Sequence, residues 1–505
     1  MRTIEIMDTT LRDGEQTSGV SFSASEKLTL AKLLLEELGV DRIEIASARV
    51  SEGEFEAVRR ITEWAADNNR LHQIEILTFV DKGVSLEWMQ QAGANVQNLL
   101  TKGSLNHLTH QLKQTPEEHF KQVGQSIEVA KQQGITTNIY LEDWSNGMRN
   151  SQEYVFSYLD FLVTKPVRRV LLPDTLGVLT PEETHQFILT IRNRYPQMHI
   201  DFHGHNDYDL GVSNAMEAVR ADVHGLHLTV NGMGERAGNA PLASVVAVIN
   251  DFLPQVQTNI KEKALYKVSQ LVSTFTGFRI PANKPIVGAN VFTQTAGIHA
   301  DGDSKKNLYF NDLLPERFGR KRSYALGKTS GKANIVKNLQ ELGLTLNEDE
   351  LKQVTQRIIE LGDKKQKVTA DDLPFIISDV LNSGNTQARV LIKSYVLTHA
   401  KGLQPSTTVS IEIDGELLEE NACGDGQYDA FLNAVRKIYK RKKIALPQLV
   451  DYAVHIPPGS HSDALCETSI TWQNGHREFV TRGLDSDQTV SAIQATEKML
   501  NTLLY

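Results

Sequence analysis

Cysteine, basic charge and long apolar runs are all scarce in this sequence. Its two cysteines, Cys423 and Cys466, are too few for a disulfide framework or a thiolate zinc site, and neither is predicted to be catalytic. A formal net charge of -9 argues against a protein that binds nucleic acid. Because no charged leader precedes an apolar segment and no apolar run approaches about 18 residues, neither a signal peptide nor a membrane span is predicted. We therefore expect a cytoplasmic protein that binds neither nucleic acid nor membranes.

The length and composition indicate a globular protein of several domains. A single core rarely grows beyond about 250 to 300 residues, so 505 residues predict two or three domains. The apolar fraction of 40% and the charged fraction of 23% are typical of folded domains.

Short β-branched segments alternate with helical segments through the first half of the chain. Two helices have explicit start signals, Thr-Pro-Glu-Glu at residues 115–118 and 180–183. Strands are predicted around residues 4–7 and at residues 41–45, 73–77, 96–100, 137–141, 169–172, 199–202 and 226–230. Eight strand–helix units match a (β/α)₈ barrel, and the Gly-rich first turn of an open doubly wound sheet is absent. Residues 1–280 are therefore predicted to form an α/β TIM barrel.

The remainder of the chain divides into two further parts. Residues 281–385 are first irregular and rich in Pro, Gly and Asn, and then helical, so they are predicted to form a linker arm with small helical subdomains. Residues 386–505 contain a quasi-repeat in which a hairpin turn, Asp-Gly at 414–415 and Asn-Gly at 474–475, precedes a helix. This pattern predicts a C-terminal α+β domain that senses a ligand.

Polar residues follow the predicted barrel strands at their carboxyl ends, where barrel enzymes carry their chemistry. His203 and His205 lie two positions apart on a strand, so both imidazoles can reach one ion. With Asp13 they predict a divalent metal site (Mg, Mn or Zn), and Asn239 is a possible fourth ligand. Arg12 suits an anionic substrate or a developing oxyanion, although it could instead form a surface salt bridge with Asp13 or Glu15.

Two other motifs are not interpreted as functional sites. The residues GKT at 327–329 resemble the end of a phosphate-binding loop, but the first glycine of that motif would fall at Arg322 and no strand precedes it. The basic run KRKK at 440–443 lies at the end of a predicted helix, where the helix dipole favours cations, and is interpreted as a solvated face.

Four motifs together resemble one enzyme family. They are TLRDGEQ at residues 10–16, HGHND at 203–207, GMGERAGN at 232–239 and GIHADG at 297–302. In this order they are similar to the motifs of the 2-isopropylmalate, homocitrate and citramalate synthase family, and the similarity covers essentially the whole chain. The resemblance implies a Claisen-type condensation of acetyl-CoA with a 2-oxo acid, followed by thioester hydrolysis that releases CoA.

The resemblance also assigns roles to single residues. A divalent ion would chelate and polarise the 2-oxo acid, while Arg12 would stabilise the alkoxide. The candidates for the base that deprotonates the acetyl methyl are Glu142 and His299, with Tyr309 nearby; Glu142 is preferred, and the arm residues are assigned to acetyl-CoA positioning or hydrolysis. Because the family's arm reaches the neighbouring barrel, a homodimer is implied.

Substrate choice depends on the residues that meet the side chain of the 2-oxo acid. By resemblance these are Leu77, Leu100 and Tyr140, with Thr175 at the next strand end, and three bulky groups leave room for little more than the methyl of pyruvate. Residues 140–144 (YLEDW) also resemble the citramalate branch. Citramalate synthesis is therefore preferred over 2-isopropylmalate synthesis, although Leu77 and Leu100 could be barrel packing. A metal-dependent aldolase or lyase is a more distant alternative, and a non-enzymatic binding module is the least favoured.

The C-terminal domain is expected to bind an amino-acid effector. Residues 424–429 open a helix and resemble the effector segment of the family, in which Tyr428 and Asp429 would meet the amino acid. By resemblance Leu449, Tyr452 and Ile456 would line the pocket for its side chain. Alternatively, Tyr428 and Asp429 only cap and pack the helix. Isoleucine is the expected feedback inhibitor if citramalate is the product, and leucine if 2-isopropylmalate is.

Overall fold

The fold was established from a computed structural model of the chain. The structure describes residues 1–303, 308–363, 389–455, 466–475, 477–485 and 487–502, together with Val368, Leu373, Ile376, Ile377 and Val380. The described chain forms two compact units: Met1–Thr293 with Phe310–Arg322, and Gln294–Tyr309 with Ser323–Tyr505.

The first unit contains a closed barrel of eight parallel strands, as the sequence predicts. Each strand pairs with the next one along the chain, and the first strand pairs with the last, so the sheet has no free edge. The strands are β1 (Glu5–Asp8), β2 (Arg42–Ser47), β3 (Ile74–Phe79), β4 (Val96–Lys102), β5 (Thr136–Glu142), β6 (Arg169–Asp174), β7 (Ile200–Gly204) and β8 (Gly225–Leu228).

Helices surround this barrel and begin where the capping signals predict. Ser23, Thr115 and Thr180 each accept a hydrogen bond from a glutamate N–H three residues later, which completes a capping box. The helices of the first unit are α1 (Ala24–Lys32), α2 (Glu52–Asp67), α3 (Val84–Gln91), α4 (Pro116–Gln132), α5 (Trp144–Asn150), α6 (Gln152–Leu162), α7 (Pro181–Arg194), α8 (Gly211–Arg220), α9 (Leu242–Phe252) and α10 (Leu265–Thr276).

Charged side chains fill the strand-start half of the barrel interior. Arg42 on β2 donates to Glu75 on β3 at 2.8 Å and to Asp201 on β7 at 2.5 Å, and all three are buried. Because β2 and β7 are not neighbours in the barrel, the contact between Arg42 and Asp201 crosses the interior. Buried charges are tolerated when they are paired in this way, so this network forms a polar floor beneath the strand ends.

The first helix of the second unit was not predicted from the sequence. Residues 299–303 were expected to be irregular, but α11 (Gly297–Asp303) is helical. A side chain at Gly297 would clash with the backbone of Gly331, so close tertiary packing overrides the poor helix propensity of the glycines. Two further helices, α12 (Lys332–Glu341) and α13 (Glu348–Asp363), share a small apolar core.

The C-terminal part contains two three-stranded antiparallel sheets, and one helix follows each sheet along the chain. Asp414 and Gly415 both have positive φ, 51° and 82°, as a two-residue type I′ hairpin requires. The elements are β9 (Val390–Thr398), β10 (Ser406–Ile413), β11 (Glu416–Cys423), α14 (Gln427–Arg441), β12 (Gln448–His455), β13 (Cys466–Asn474), β14 (Arg477–Asp485) and α15 (Gln488–Thr502). Both helices contribute to one apolar core, so this part is an α+β domain as predicted.

Two expectations concern the chain as a whole. Among the described residues, no helix combines the length and apolarity that crossing a membrane would need. The boundary expected between residues 385 and 386 lies outside the described residues, so the domain limits at 280 and 385 stay predictions.

Candidate active site

Asp13, His203 and His205 form a buried cluster at the carboxyl ends of the barrel strands. One ligand atom from each lies within 4.8 Å of the others, and Nε2 of His203 is 3.6 Å from Oδ2 of Asp13. The histidines come from the end of β7 and Asp13 from the loop after β1. Two imidazoles and a carboxylate form a donor set that suits a divalent metal.

Several buried atoms around this cluster support the fit. Nδ1 of His203, Nδ1 of His205 and Oδ1 of Asn239 are buried and have no hydrogen-bond partner within the part of the chain that the structure describes. The Asn239 amide nitrogen is already used, because it donates to Asp13 at 2.8 Å and to the Met233 carbonyl at 2.9 Å. Buried polar atoms normally have partners, so the geometry accommodates an ion at this position.

The protonation states also suit metal ligation. Burial lowers the pKa of His203 and His205 below the ordinary histidine value; the Asp13 carboxylate opposes this shift, and Arg12 adds to it. Burial alone would raise the pKa of Asp13, but the Arg12 guanidinium and the hydrogen bond from Asn239 lower it well below its ordinary value. The cluster therefore offers neutral imidazoles and an ionised carboxylate near neutral pH.

The loop after β8 places Asn239 in this cluster through a tight backbone path. Asn206 donates from its N–H to the Gly238 carbonyl at 2.9 Å, and Ala240 donates to the Gly204 carbonyl at 3.0 Å. A side chain at Gly238, which has a φ of 82°, would collide with the carbonyl oxygen of Gly232. Glycine is required there because only it combines positive φ with such a close approach.

Arg12 lies beside the cluster and is fixed by carboxylates. Its Nε donates to Glu44 at 2.6 Å and its Nη1 to Asp13 at 2.7 Å, while Nη2 lies 3.5 Å from the Tyr140 hydroxyl. The salt bridge that the sequence left open with Asp13 is therefore present, but it is buried rather than on the surface. Glu15 does not take part, since it pairs with Lys27.

Glu142, at the end of β5, forms an ion pair with Lys102 at the end of β4. The Lys102 side chain is only 8% exposed, whereas that of Glu142 is 23% exposed. The pair fixes the position of the carboxylate at the strand ends. Sequence reasoning missed Lys102, although a lysine that ends an apolar strand beside other polar strand ends was a usable signal.

The structure brings Leu77, Leu100 and Tyr140 together in a small apolar cluster of their own. Leu171 on β6 completes the cluster and was not predicted. Tyr140 joins this cluster to the candidate metal site, because its ring centroid is 6.1 Å from that of His203 and the Arg12 guanidinium lies over its face at 5.8 Å.

Thr175 follows β6 and is half-buried. Its hydroxyl oxygen accepts a hydrogen bond from the Asp143 N–H at 2.9 Å, which leaves the hydroxyl proton available to another group. Arg236 donates to the Thr175 carbonyl at 2.9 Å and forms two bonds with Asp207. Three loops that follow different strands are thereby tied together at this point.

His299 and Tyr309 belong to the second unit. Their rings are close together, with centroids 4.3 Å apart, and Tyr309 is 42% exposed. Within its own unit, this pair therefore presents an accessible hydroxyl beside an imidazole.

Four of the five predicted effector residues line one cavity of about 690 Å³ in the C-terminal domain. These are Tyr428, Asp429, Leu449 and Tyr452, and Ile456 lies outside the described residues. Asp487, Gln488 and Thr489, at the start of α15, also line this cavity and were not predicted. The Tyr428 hydroxyl lies 2.8 Å from the Thr496 hydroxyl, and its ring is tilted by 43° against that of Tyr452, with centroids 5.4 Å apart.

Comparison with known proteins assigns these parts to families. The HMGL-like family matches residues 3–272, the homocitrate synthase post-HMGL domain-like family matches residues 286–366, and the LeuA allosteric (dimerisation) domain matches residues 367–504. Together the three matches cover the barrel and nearly all that follows it.

Two full-length relatives come from Methanocaldococcus jannaschii. An (R)-citramalate synthase CimA is 32% identical over 504 residues, which cover 99% of both chains. A 2-isopropylmalate synthase is 32% identical over 511 residues, which cover 99% of this chain and 95% of the relative. Equal identity to two named activities leaves the substrate open but shows the family. The protein is accordingly an acyltransferase of the condensing type, and it belongs to the family of the 2-isopropylmalate, homocitrate and citramalate synthases.

Proposed function

We propose that this enzyme condenses acetyl-CoA with pyruvate to give (R)-citramalate and CoA, as a step in isoleucine biosynthesis. The observation that carries the proposal is the apolar cluster of Leu77, Leu100, Tyr140 and Leu171 beside the candidate metal site. Three of these side chains are at most 5% exposed, so they form a closed wall that admits a methyl group more easily than an isopropyl group.

Asp13, His203 and His205, with Asn239 as a further ligand, would hold a divalent ion, Mg, Mn or Zn. When bound, this ion supplies Lewis-acid polarisation of the 2-oxo acid. Arg12 stabilises the negative charge that develops on the keto oxygen of pyruvate. Its contacts with Glu44, Asp13 and Tyr140 use three of the five guanidinium N–H groups, and the remaining two can bind substrate oxygens.

Glu142 removes a proton from the acetyl methyl group, and the resulting carbanion attacks the keto carbon of pyruvate. Lys102 orients this carboxylate through the ion pair at the ends of β4 and β5. The Thr175 hydroxyl donates a hydrogen bond to the substrate carboxylate. We assign His299 and Tyr309 to acetyl-CoA positioning or thioester hydrolysis, in a homodimer whose linker arm, residues 281–385, serves the neighbouring barrel.

The C-terminal domain, residues 386–505, provides feedback inhibition by isoleucine. Its cavity combines a carboxylate, Asp429, with the apolar or aromatic side chains of Leu449 and Tyr452. A carboxylate can pair with an α-ammonium group, and apolar walls suit an aliphatic side chain.

The test is CoA release from acetyl-CoA with pyruvate or 2-oxoisovalerate as the second substrate, in buffer that contains Mg²⁺ or Mn²⁺. Asp13→Ala, which lacks a metal ligand, is the control for background hydrolysis. We expect kcat/KM to be higher with pyruvate. A higher value with 2-oxoisovalerate would assign the enzyme to 2-isopropylmalate synthesis, and cleavage without condensation would favour an aldolase or lyase.

A further inference from the structure

A chain of buried polar side chains crosses the barrel from its polar floor to Arg12. Asp201 on β7 lies 3.2 Å from Nε2 of His227 on β8, and Nδ1 of His227 lies 2.8 Å from the Tyr140 hydroxyl on β5. The same hydroxyl lies 3.5 Å from Nη2 of Arg12, at the outer limit of a hydrogen bond. Asp201, His227 and Tyr140 are each at most 3% exposed, so water cannot substitute for these contacts.

The direction of the first hydrogen bond follows from Asp201. Arg42 donates to this carboxyl at 2.5 Å within a buried ion pair, so the carboxyl is ionised. An ionised carboxylate only accepts hydrogen bonds. The proton between Asp201 and His227 is therefore on Nε2 of the imidazole.

The direction of the other bonds follows from Tyr140 and Arg12. An ordinary tyrosine phenol is protonated at neutral pH, so this hydroxyl has a proton to donate. Arg12 has no acceptor atom, and among the described contacts Nδ1 of His227 is the acceptor that remains for this proton. Nδ1 of His227 therefore accepts the hydrogen bond from the Tyr140 hydroxyl.

We infer that His227 is a positioning residue that, as one fixed tautomer, accepts a hydrogen bond from the Tyr140 hydroxyl and so turns the lone pairs of that hydroxyl toward Arg12. The inference rests on the proposed function, in which Arg12 contacts the 2-oxo acid. The Tyr140 hydroxyl then accepts a hydrogen bond from the Arg12 guanidinium and does not donate one to the substrate. Asp201 fixes the tautomer from below, in the way that outer partners of a catalytic group orient it.

The tautomer can be measured without turnover. Full-length protein with ¹⁵N-labelled histidine and added Mg²⁺ is studied by NMR, and His227→Gln identifies the signals of His227. We expect Nδ1 to resonate in the unprotonated range and Nε2 in the protonated range. In Tyr140→Phe the Nδ1 signal should shift further toward the unprotonated value, because its donor is lost. A proton on Nδ1, or no shift in Tyr140→Phe, would overturn the inference whatever reaction the enzyme catalyses.

The positioning role is tested by a double-mutant cycle on kcat, with the 2-oxo acid that the unmodified enzyme prefers. We expect Tyr140→Phe and His227→Leu each to lower kcat by about tenfold or more, with the double variant no slower than His227→Leu. His227→Gln, whose amide offers both a donor and an acceptor, should recover part of the rate. Independent losses that multiply in the double variant would show a merely structural role.

Tyr195→Phe is the matched control for the loss of a buried tyrosine hydroxyl. Tyr195 is 3% exposed and donates to Asp160 at 2.6 Å, away from this chain of contacts. Its kcat should stay within about twofold of the unmodified enzyme. Absence of CoA release from the unmodified enzyme with every 2-oxo acid would refute the proposed function, while the NMR measurement would still decide the tautomer.

Discussion

The Asn239 side chain donates a hydrogen bond of 2.8 Å to Asp13, although the two residues are 226 positions apart. The bond joins the loop after β8 to the loop after β1. It uses the amide nitrogen, and the amide oxygen is buried without a hydrogen-bond partner among the described residues. The side chain thus orients Asp13, and its oxygen remains a proposed metal ligand.

Removal of a predicted ligand should abolish metal binding and turnover together. We expect His203→Ala and Asp13→Ala to bind Mg²⁺, Mn²⁺ or Zn²⁺ at least about 100-fold more weakly in calorimetry, because each variant lacks one of the predicted metal-ligating side chains. His185→Ala, which changes a partly exposed histidine on α7, is the control and should bind metal normally. Unchanged metal affinity in His203→Ala would refute the metal assignment.

Replacement of Arg12 by lysine should slow the reaction without unfolding the protein. A lysine keeps the charge but cannot bond Glu44, Asp13 and Tyr140 at once, so we expect kcat to fall by about 10² to 10³. Steady-state CoA release and circular dichroism measure the two effects. The exposed Arg59→Lys is the control, and an unchanged kcat in Arg12→Lys would limit Arg12 to a structural role.

Enlargement of the apolar pocket should shift the substrate preference. We expect Leu77→Ala and Leu171→Ala to raise kcat/KM for 2-oxoisovalerate relative to pyruvate, since each methyl group is worth about 1 to 3 kcal/mol of discrimination. Leu172→Ala removes an equally buried leucine from the main barrel core instead. It should cost stability but leave the ratio unchanged, and an equal shift in Leu172→Ala would contradict the pocket assignment.

A buried histidine should make the stability depend on pH. Burial, with a smaller contribution from Lys102, lowers the pKa of His119 from 6.5 to about 4. The unfolded chain therefore binds a proton that the folded chain does not. The stability contributed by neutral His119 is complete above pH 6.5 and is lost as the pH falls toward 4, by up to about 3 kcal/mol.

Urea unfolding of the unmodified protein and of His119→Phe, between pH 4 and pH 7.5, measures this effect. The difference in unfolding free energy should favour the unmodified protein at pH 7 and shrink or reverse as the pH falls. A difference that does not change with pH would show that His119 has the same pKa in the folded and unfolded states, and a difference that grows as the pH falls would show that the folded state keeps it protonated.

Effector binding should depend on the carboxylate in the C-terminal cavity. We expect calorimetry to detect isoleucine binding to the intact protein, and Asp429→Ala to weaken it about tenfold or more, because the α-ammonium group loses its partner. Glu419→Ala, an exposed change on β11, is the matched control. Binding of leucine alone would shift the substrate assignment to 2-oxoisovalerate, and binding of neither would remove the regulatory proposal.

Local sequence patterns were sufficient to predict the barrel and to predict that the candidate site residues lie together at its strand ends. Thr115 and Thr180 cap helices as their motifs predicted, and the spacing of His203 and His205 puts both on the same strand end as a pair. These features depend on neighbours within a few residues or on the rule that strand ends meet.

The roles of Lys102, Leu171 and His227 could not be predicted in the same way. Each role depends on the side chain that faces the residue from another strand. The contact between Asp201 and Arg42 even joins two strands that lie across the barrel from each other. No local pattern specifies such contacts. The helical state of residues 297–303 was also missed, because no local pattern shows the close approach of Gly297 to Gly331 that accompanies it.

The closed order of the strands also has a consequence for synthesis of the chain. The first residue of the candidate metal cluster is at position 13 and the residue that completes it is at position 239. At about 5 to 20 residues per second, a ribosome needs roughly 10 to 50 s to make the chain between them. During that time the nascent barrel has an open seam, and Asp13 and the histidines cannot be held by Asn239. The loop after β8 thus sets the moment at which a newly made chain first has a complete site.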